Sequence, residues 1–336
     1  MSTAFTPALR AISAATLALI LAACAQTGTP AQSSTAAAPA AFTPAVPGVV
    51  SVDTPIELIK DGFKGTEGPV TLPDGSLIFT ETTANRITRI AADGSTSTFL
   101  DNSNGANGLG FTANGDLYAV QVLKTQVGIV YPADHVKVLA DSFEGKPFGR
   151  PNDLVVAKDG TVYFTDSGVN RQPGQPAPTI ETAKPAVYRI TAKGALQRLA
   201  ADIERPNGIQ LSPDEKVLYV ANTAGEYVLA YDIAADGKVG ARRNFAKLAG
   251  FRQTDNGPSS GADGLAVDLL GRLYVATTVG IQVFNSEGEA LGTIALPKAP
   301  QNLAFAGADK RSLYVVGRGA AYRIATLTPG HTGRAK

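Results

Sequence analysis

The sequence has no tryptophan, one cysteine and two histidines, and only 18% of its residues are charged. A single cysteine excludes an internal disulfide framework. The histidines, His135 in a strand or loop of the second repeat described below and His331 near the end, give no support to a Ser-His-Asp triad. With 30 Lys and Arg against 29 Asp and Glu the formal net charge is +1, so the basic field that nucleic acid or an anionic membrane surface requires is missing. No nucleic-acid partner is expected. Helical periodicity is lacking too, and matches of the GxG type have no strand-then-helix context, so no dinucleotide site is read. What is plentiful is turn chemistry: 35 Gly and 21 Pro in a chain that is 44% hydrophobic favour many short strands, an all-β fold.

The one cysteine, Cys24, follows an apolar stretch from Ala11 to Ala23, and Arg10 is the only charge ahead of it. This has the make-up of a signal peptide, residues 1–23, and is too short to span a membrane as a mature helix. Leu21-Ala22-Ala23-Cys24 resembles a bacterial lipobox, which makes Cys24 the expected lipidation site. An ordinary signal peptide is the alternative. Cleavage would leave 29 basic against 29 acidic residues, so the anchor is expected to be lipid and not charge. Residues 24–47, rich in Ala, Pro, Ser and Thr, read as a flexible linker and residues 327–336 as a flexible tail, with the folded domain at 48–326. Position 25 is Ala, where an Asp would hold many lipoproteins in the inner membrane. A cell-envelope location follows, on the outer membrane or facing the periplasm.

From Ile56 onward one phrase recurs: a polar residue, small or apolar residues, a turn, then Leu-Tyr-Val or a variant. It begins at Glu67, Asn107, Asn152, Asn207, Asp263 and Gln301, at intervals of 40, 45, 55, 56 and 38 residues. Seven residues past each start stands a turn position, Asp74, Asn114, Asp159, Asp214, Leu270 or Ala308, usually beside glycine. Further strand-like stretches follow each hairpin, so the unit has four strands. Six such units predict a six-bladed β-propeller of antiparallel strands. The last unit lacks a fourth strand, and Pro55 to Lys60 is predicted to supply it and close the ring.

In such a ring the first strand of each unit lines the axis, which brings six polar starts to one mouth. The ends of the second strands, Glu81, Gln121, Asp166, Asn222, Thr277 and a position near Arg318, are expected at the same level. Asn-Gly and Asp-Gly are also strong hairpin signals. Glu67 and Gln301 are poor turn residues, however, and the true turns lie seven residues later. The shared phase points to a ligand. Two carboxylates with amide oxygens make a hard-oxygen site whose charge of −2 suits Ca²⁺ or Mg²⁺. Softer-ligand preference makes zinc a poorer match than these.

The phrases Glu67-Gly68-Pro69, Arg150-Pro151-Asn152-Asp153, Arg205-Pro206-Asn207-Gly208 and Asp263-Gly264-Leu265, in this order, resemble the gluconolactonase/SMP-30/luciferin-regenerating-enzyme family from about Glu67 to Ile324. The resemblance implies one divalent metal held by Glu67, Asn152, Asn207 and Asp263, with calcium the first choice and magnesium, manganese or zinc the others. It implies hydrolysis of sugar lactones, with Arg150 and Asp153 matching substrate-binding positions and Asn107 and Gln301 left to hold water or substrate. Asp263 is the expected general base. Many relatives have Trp shortly after Glu-Gly-Pro, where this chain has Thr71. The alternatives are a related esterase or phosphotriesterase and a non-enzymatic binding propeller of the envelope. The long connections 171–185 and 242–261 are expected near the mouth, where they would shape substrate choice or stand as plain surface loops. A monomer is expected of a closed ring.

Overall fold

The computed structural model describes residues 41–169, 180–334 and 336. Cys24, the segment before it and the linker to residue 40 lie outside the described residues, as do residues 170–179 of the first long connection. Among the described residues no helix is long and apolar enough to cross a membrane.

Each phrase folds into a four-stranded antiparallel sheet. Blade 1 is Thr66–Thr71, Leu77–Glu81, Arg86–Ile90 and Thr96–Asp101; blade 2 is Ala106–Phe111, Leu117–Gln121, Gln126–Tyr131 and Lys137–Ala140. Blade 3 is Pro151–Val156, Val162–Asp166, Ala186–Ile190 and Leu196–Ala200; blade 4 is Pro206–Leu211, Val217–Asn222, Tyr227–Asp232 and Arg243–Lys247. Blade 5 is Leu265–Val267, Leu273–Thr277, Gly280–Phe284 and Ala290–Ile294. In blade 6, Asn302–Ala306, Ser312–Gly317 and Ala320–Ala325 are completed by Pro55–Asp61, which pairs antiparallel with the third strand from Ile56 opposite Ile324. The ring closes as the sequence predicts. The innermost strands contact one another in chain order, and that of blade 6 returns to that of blade 1.

Three of the predicted turns are Asx turns: the Ser76 amide donates to Asp74 Oδ1 at 3.0 Å, the Thr161 amide to Asp159 Oδ1 at 2.8 Å and the Lys216 amide to Asp214 Oδ1 at 3.2 Å. Strand pairing stays within blades, so packing must join one blade to the next. The apolar core divides accordingly into six clusters, one at each interface; Val70, Ile78 and Leu109 join blades 1 and 2, and Phe79, Ala304 and Tyr314 join blades 1 and 6. Each fully buried Leu, Ile, Val or Phe contributes about 1.5–3 kcal/mol.

Two boundaries differ from the expected ones. Order begins before residue 48: Ala41–Phe42 adds a fifth strand to blade 6, and Val46, 1% exposed, packs with Val49 and Val50 into the core between blades 5 and 6. The Pro47-Gly48 turn lets these valines fold back together, with Gly48 at φ +71°. At the other terminus, the segment expected as a tail lies against the ring. Gly330 donates to the Lys310 carbonyl at 2.9 Å and His331 to that of Val267 at 3.2 Å, while Arg334 and Lys336 are buried.

Candidate active site

The six phrase starts stand at the beginning of the innermost strands, and four of those strands bulge just past them, between Glu67 and Val70, Ala106 and Leu109, Pro151 and Leu154, and Pro206 and Ile209. Bulges re-aim side chains next to functional sites. The residue after each start is Gly68, Gly108, Asp153, Gly208, Gly264 or Asn302. Glycine is required by close approach: a Cβ on Gly68 would lie 1.9 Å from the Asn107 carbonyl oxygen, and one on Gly208 would lie 2.1 Å from that of Asp263. Neighbouring starts are thereby drawn together around the axis.

Glu67 and Asp263 face this centre. Glu67 Oε1 accepts from Gln301 Nε2 at 3.3 Å and Oε2 from Asn302 Nδ2 at 3.2 Å. Burial, then the charge of Asp153, pushes its carboxyl up to about 7, against the Asn302 hydrogen bond and the charges of Lys336 and Arg150. Asp263 is raised well above the ordinary carboxylate range by burial and by the charges of Glu67 and Asp153, with Arg318 and Arg205 opposing. Among the described residues nothing donates a hydrogen bond to its carboxylate. Asn207 donates from Nδ2 to Thr223 Oγ1 at 3.0 Å, but its Oδ1 is buried without a partner. A buried amide oxygen with no partner and a pair of carboxylates that repel each other are both groups a cation would satisfy. The donor set Glu67, Asn152, Asn207 and Asp263 is all oxygen and fits a hard divalent ion. Among the described residues no cluster of three or more Asp, Glu, His or Cys side chains forms a metal centre, so any site here depends on its amides.

Asn152 and Asn207 line an open cavity of about 270 Å³ together with Arg150, Arg205, Glu204, Ser167, Val169 and Pro185. Arg150 and Arg205 stand two residues ahead of Asn152 and Asn207, so the repeat sets two guanidinium groups at matching places in adjacent blades.

A family model covers the strands that carry this site. Residues 65–318 match the model described as the SMP-30/Gluconolactonase/LRE-like region. The chain belongs to this family. It is 30% identical over 310 residues to the gluconolactonase of Zymomonas mobilis, covering 86% of each chain. Among solved structures it resembles a gluconolactonase from Xanthomonas campestris, with 29% identity, TM-score 0.71 and coverage of 82% and 90%. A calcium-binding regucalcin from Agrobacterium tumefaciens shares the fold at 19% identity and TM-score 0.67, covering 83% of this chain and 97% of its own.

Within the family frame, several expected residues take other places. Asn107 was expected to hold water or substrate; it is 2% exposed and both ends of its amide are used, Nδ2 donating to the Asn152 carbonyl at 2.7 Å and Oδ1 accepting from Thr82 Oγ1 at 3.2 Å. It positions Asn152. Gln301 likewise bridges Glu67 and the Arg318 amide, which donates to its Oε1 at 2.8 Å. Asp153 is 1% exposed and paired with Lys336, which removes it from the cavity wall. Of the four residues expected at the substrate, Arg150 is the one that lines the cavity.

Four of the second-strand ends turn away from the mouth, whereas the charge of Arg318 reaches Asp263. Register places Glu81 opposite Thr66, Gln121 opposite Ala106, Asp166 opposite Pro151 and Asn222 opposite Pro206, one residue before each phrase start. Side chains alternate, so these point to the other face. There they hold the loops that enter each blade: Asp166 accepts from the amides of Gly149, Arg150 and Gly168 at 2.6–2.9 Å, and Glu81 from Lys64 at 2.8 Å. Burial raises the Asp166 carboxyl despite those three bonds.

Arg205, Asn302, Thr223 and Lys336 are the residues sequence reasoning missed. Arg205 carried a signal, the repeated Arg-Pro-Asn; Lys336 carried none. His135, in a single 3-10 turn, pairs with Asp116 at 2.5 Å, and the partnership raises its pKa. Of the connection expected from 242 to 261, Arg243–Lys247 is instead the outer strand of blade 4, and the stretch after it carries a small hairpin, Arg252–Thr254 with Gly257–Ser259.

Proposed function

We propose that this protein is a divalent-metal-dependent hydrolase of sugar lactones, with Glu67, Asn152, Asn207 and Asp263 holding one cation, calcium by preference. The observation that supports the reading is the buried, unpartnered Asn207 Oδ1 on an arginine-lined cavity, in a protein whose Glu67 and Asp263 carboxylates are charge-coupled. Kinship with gluconolactonases supports the substrate class.

When bound, the cation would act as a Lewis acid on the lactone carbonyl and offset the charge that develops on its oxygen. Asp263 is the general base. Its carboxylate takes a proton from the attacking water as the water oxygen bonds to the carbonyl carbon. The ring carbon–oxygen bond then breaks, and the same proton passes to the departing ring oxygen, giving the open hydroxy acid. Arg150 and Arg205 orient the substrate's oxygen atoms, while Thr223 fixes the Asn207 amide and Asn107 the Asn152 backbone. A lactone is already an activated electrophile, so a base next to a cation is strong enough for it.

The test uses the purified protein with an aldonolactone. We expect calcium-dependent ring opening that EDTA abolishes and added metal restores; metal binding without turnover on lactones or aryl esters would replace the hydrolase with a binding propeller. A second reading, an ester hydrolase for bulkier acyl or aryl groups, is favoured by the adjoining cavity of about 460 Å³ with Val169, Ile180 and Pro185 in its wall. Lipid attachment through Cys24 and an envelope location complete the proposal. Replacing Cys24 with Ser should release the protein from the membrane fraction, and a variant that stays there would refute the anchor.

A further inference from the structure

Asp153 occupies a position that four of the six blades fill with glycine. Its Oδ1 accepts from the Leu154 amide at 2.9 Å, and it is 1% exposed. Among the described residues of the six blades none forms an ion pair with this buried acid. Asn302, the other exception, is neutral and spends its amide on Glu67.

The counter-charge comes from outside the repeat. Lys336, itself 4% exposed, donates from Nζ to Asp153 Oδ2. The segment that delivers it crosses the end of the ring opposite the phrase starts. There it meets the turn of blade 6 at Lys310, the end of the innermost strand of blade 5 at Val267, and blade 4 at Leu211 and Glu215. Arg334 is the clamp, with Nη2 donating to the Leu211 carbonyl at 2.6 Å and to that of Ser212 at 3.2 Å, and Nη1 to Glu215 at 3.1 Å. Lys310 Nζ holds the Arg334 carbonyl at 3.0 Å. Lys336 therefore comes to Asp153 from the end opposite the phrase starts, and its charge reaches Glu67 as well.

We propose that Lys336 is a positioning residue of the metal centre, a tethered cation that cancels the charge of Asp153. The inference rests on the metal reading above. Glu67, Asp153 and Asp263 are three acids that act on one another. With Lys336 paired to Asp153, Glu67 and Asp263 are the two acids left for a single divalent ion. Without it the centre holds cations more tightly and favours those of higher charge.

Calorimetric titration with Ca²⁺ and with La³⁺ at fixed ionic strength tests this on the full chain. Lys336→Met should bind Ca²⁺ roughly tenfold tighter and gain still more for La³⁺, whereas Asp153→Asn should bind Ca²⁺ roughly tenfold more weakly. The double variant should return to within about twofold of the parent protein. Equal affinities, or shifts of both single variants in one direction, would overturn the assignment, as would a lower melting temperature with unchanged affinity. If Lys336→Met does not fold, Asp153→Asn and the double variant still decide it. A parent protein that binds no Ca²⁺ removes the metal reading and this inference together; a parent that binds with variants that match it removes only the inference.

Discussion

At the open mouth of the axial channel, six strand beginnings present oxygen-bearing side chains at one phase of a repeat, and each blade contributes by the same rule. At the opposite end, the turns that close the hairpins are crossed by one segment that belongs to no blade and carries His331, Arg334 and Lys336. The mouth is acidic at its centre and the far end basic, with Lys158, Lys310 and Arg334 around His331. The difference separates two tasks. Periodicity assembles a site by making equivalent positions converge, while a non-repeating segment adjusts the net charge of that site from the side where substrate does not enter.

If this division holds, changes at the mouth should strike catalysis first and changes behind it should not. The largest effect is expected at Asp263. Asp263→Asn removes the base and one of two charged ligands, and kcat should fall about 10³-fold or more with the circular-dichroism spectrum unchanged; a variant within tenfold of the parent would show that another group takes the proton. Glu67→Gln keeps its size but not its charge. Its Ca²⁺ affinity should drop roughly 10- to 100-fold in calorimetry, before melting behaviour changes. A smaller effect is expected at Arg205, a cavity group with no counterpart among the predicted substrate residues. Arg205→Ala should raise KM about tenfold and leave kcat within a fewfold, because it removes binding shared by ground and transition states. A kcat loss without a change in KM would move Arg205 from orientation into the chemistry.

The same division explains what could be read from the chain. Six turns at fixed distance from six polar starts were legible because each repeat confirms the others, and Pro55–Asp61 could be placed as the closing strand because one unit lacked its partner. Glu67 and Asp263 stood out by being poor fits to turn chemistry or by sharing the phase of one that was. Asn107 and Gln301 share that phase too, yet neighbouring groups use up their amides, and such pairing depends on inter-blade distance that no single blade encodes. Four of the second-strand ends were misplaced by one residue of register, enough to turn Glu81 and Asp166 to the opposite face. Val46 and Lys336 were hidden for a different reason: each lies in a stretch whose composition resembles a linker or tail, and only a packed surface elsewhere in the chain gives it a place.

The smallest expected effect belongs to the far end and concerns stability. Both ring nitrogens of His331 are buried without hydrogen-bond partners, and burial, followed by the charges of Arg334, Lys158 and Lys310, lowers its pKa to about 4 from an ordinary 6.5. Between those values the unfolded chain binds the proton that the folded chain refuses, so stability rises with pH across the window and is lost as pH falls through it. Solvent screening limits the loss to about 1–2 kcal/mol, because the group is only partly shielded. His331→Phe should remove this acid sensitivity, read as a melting temperature that changes less between pH 7 and pH 4.5 than in the parent protein, while activity at pH 7 stays the same. An equally acid-sensitive variant would shift the burden to the carboxylates at the mouth. A variant that loses activity at pH 7 would break the separation of the two ends, since a residue packed at the far end of the ring and absent from the cavity wall would then be governing the chemistry.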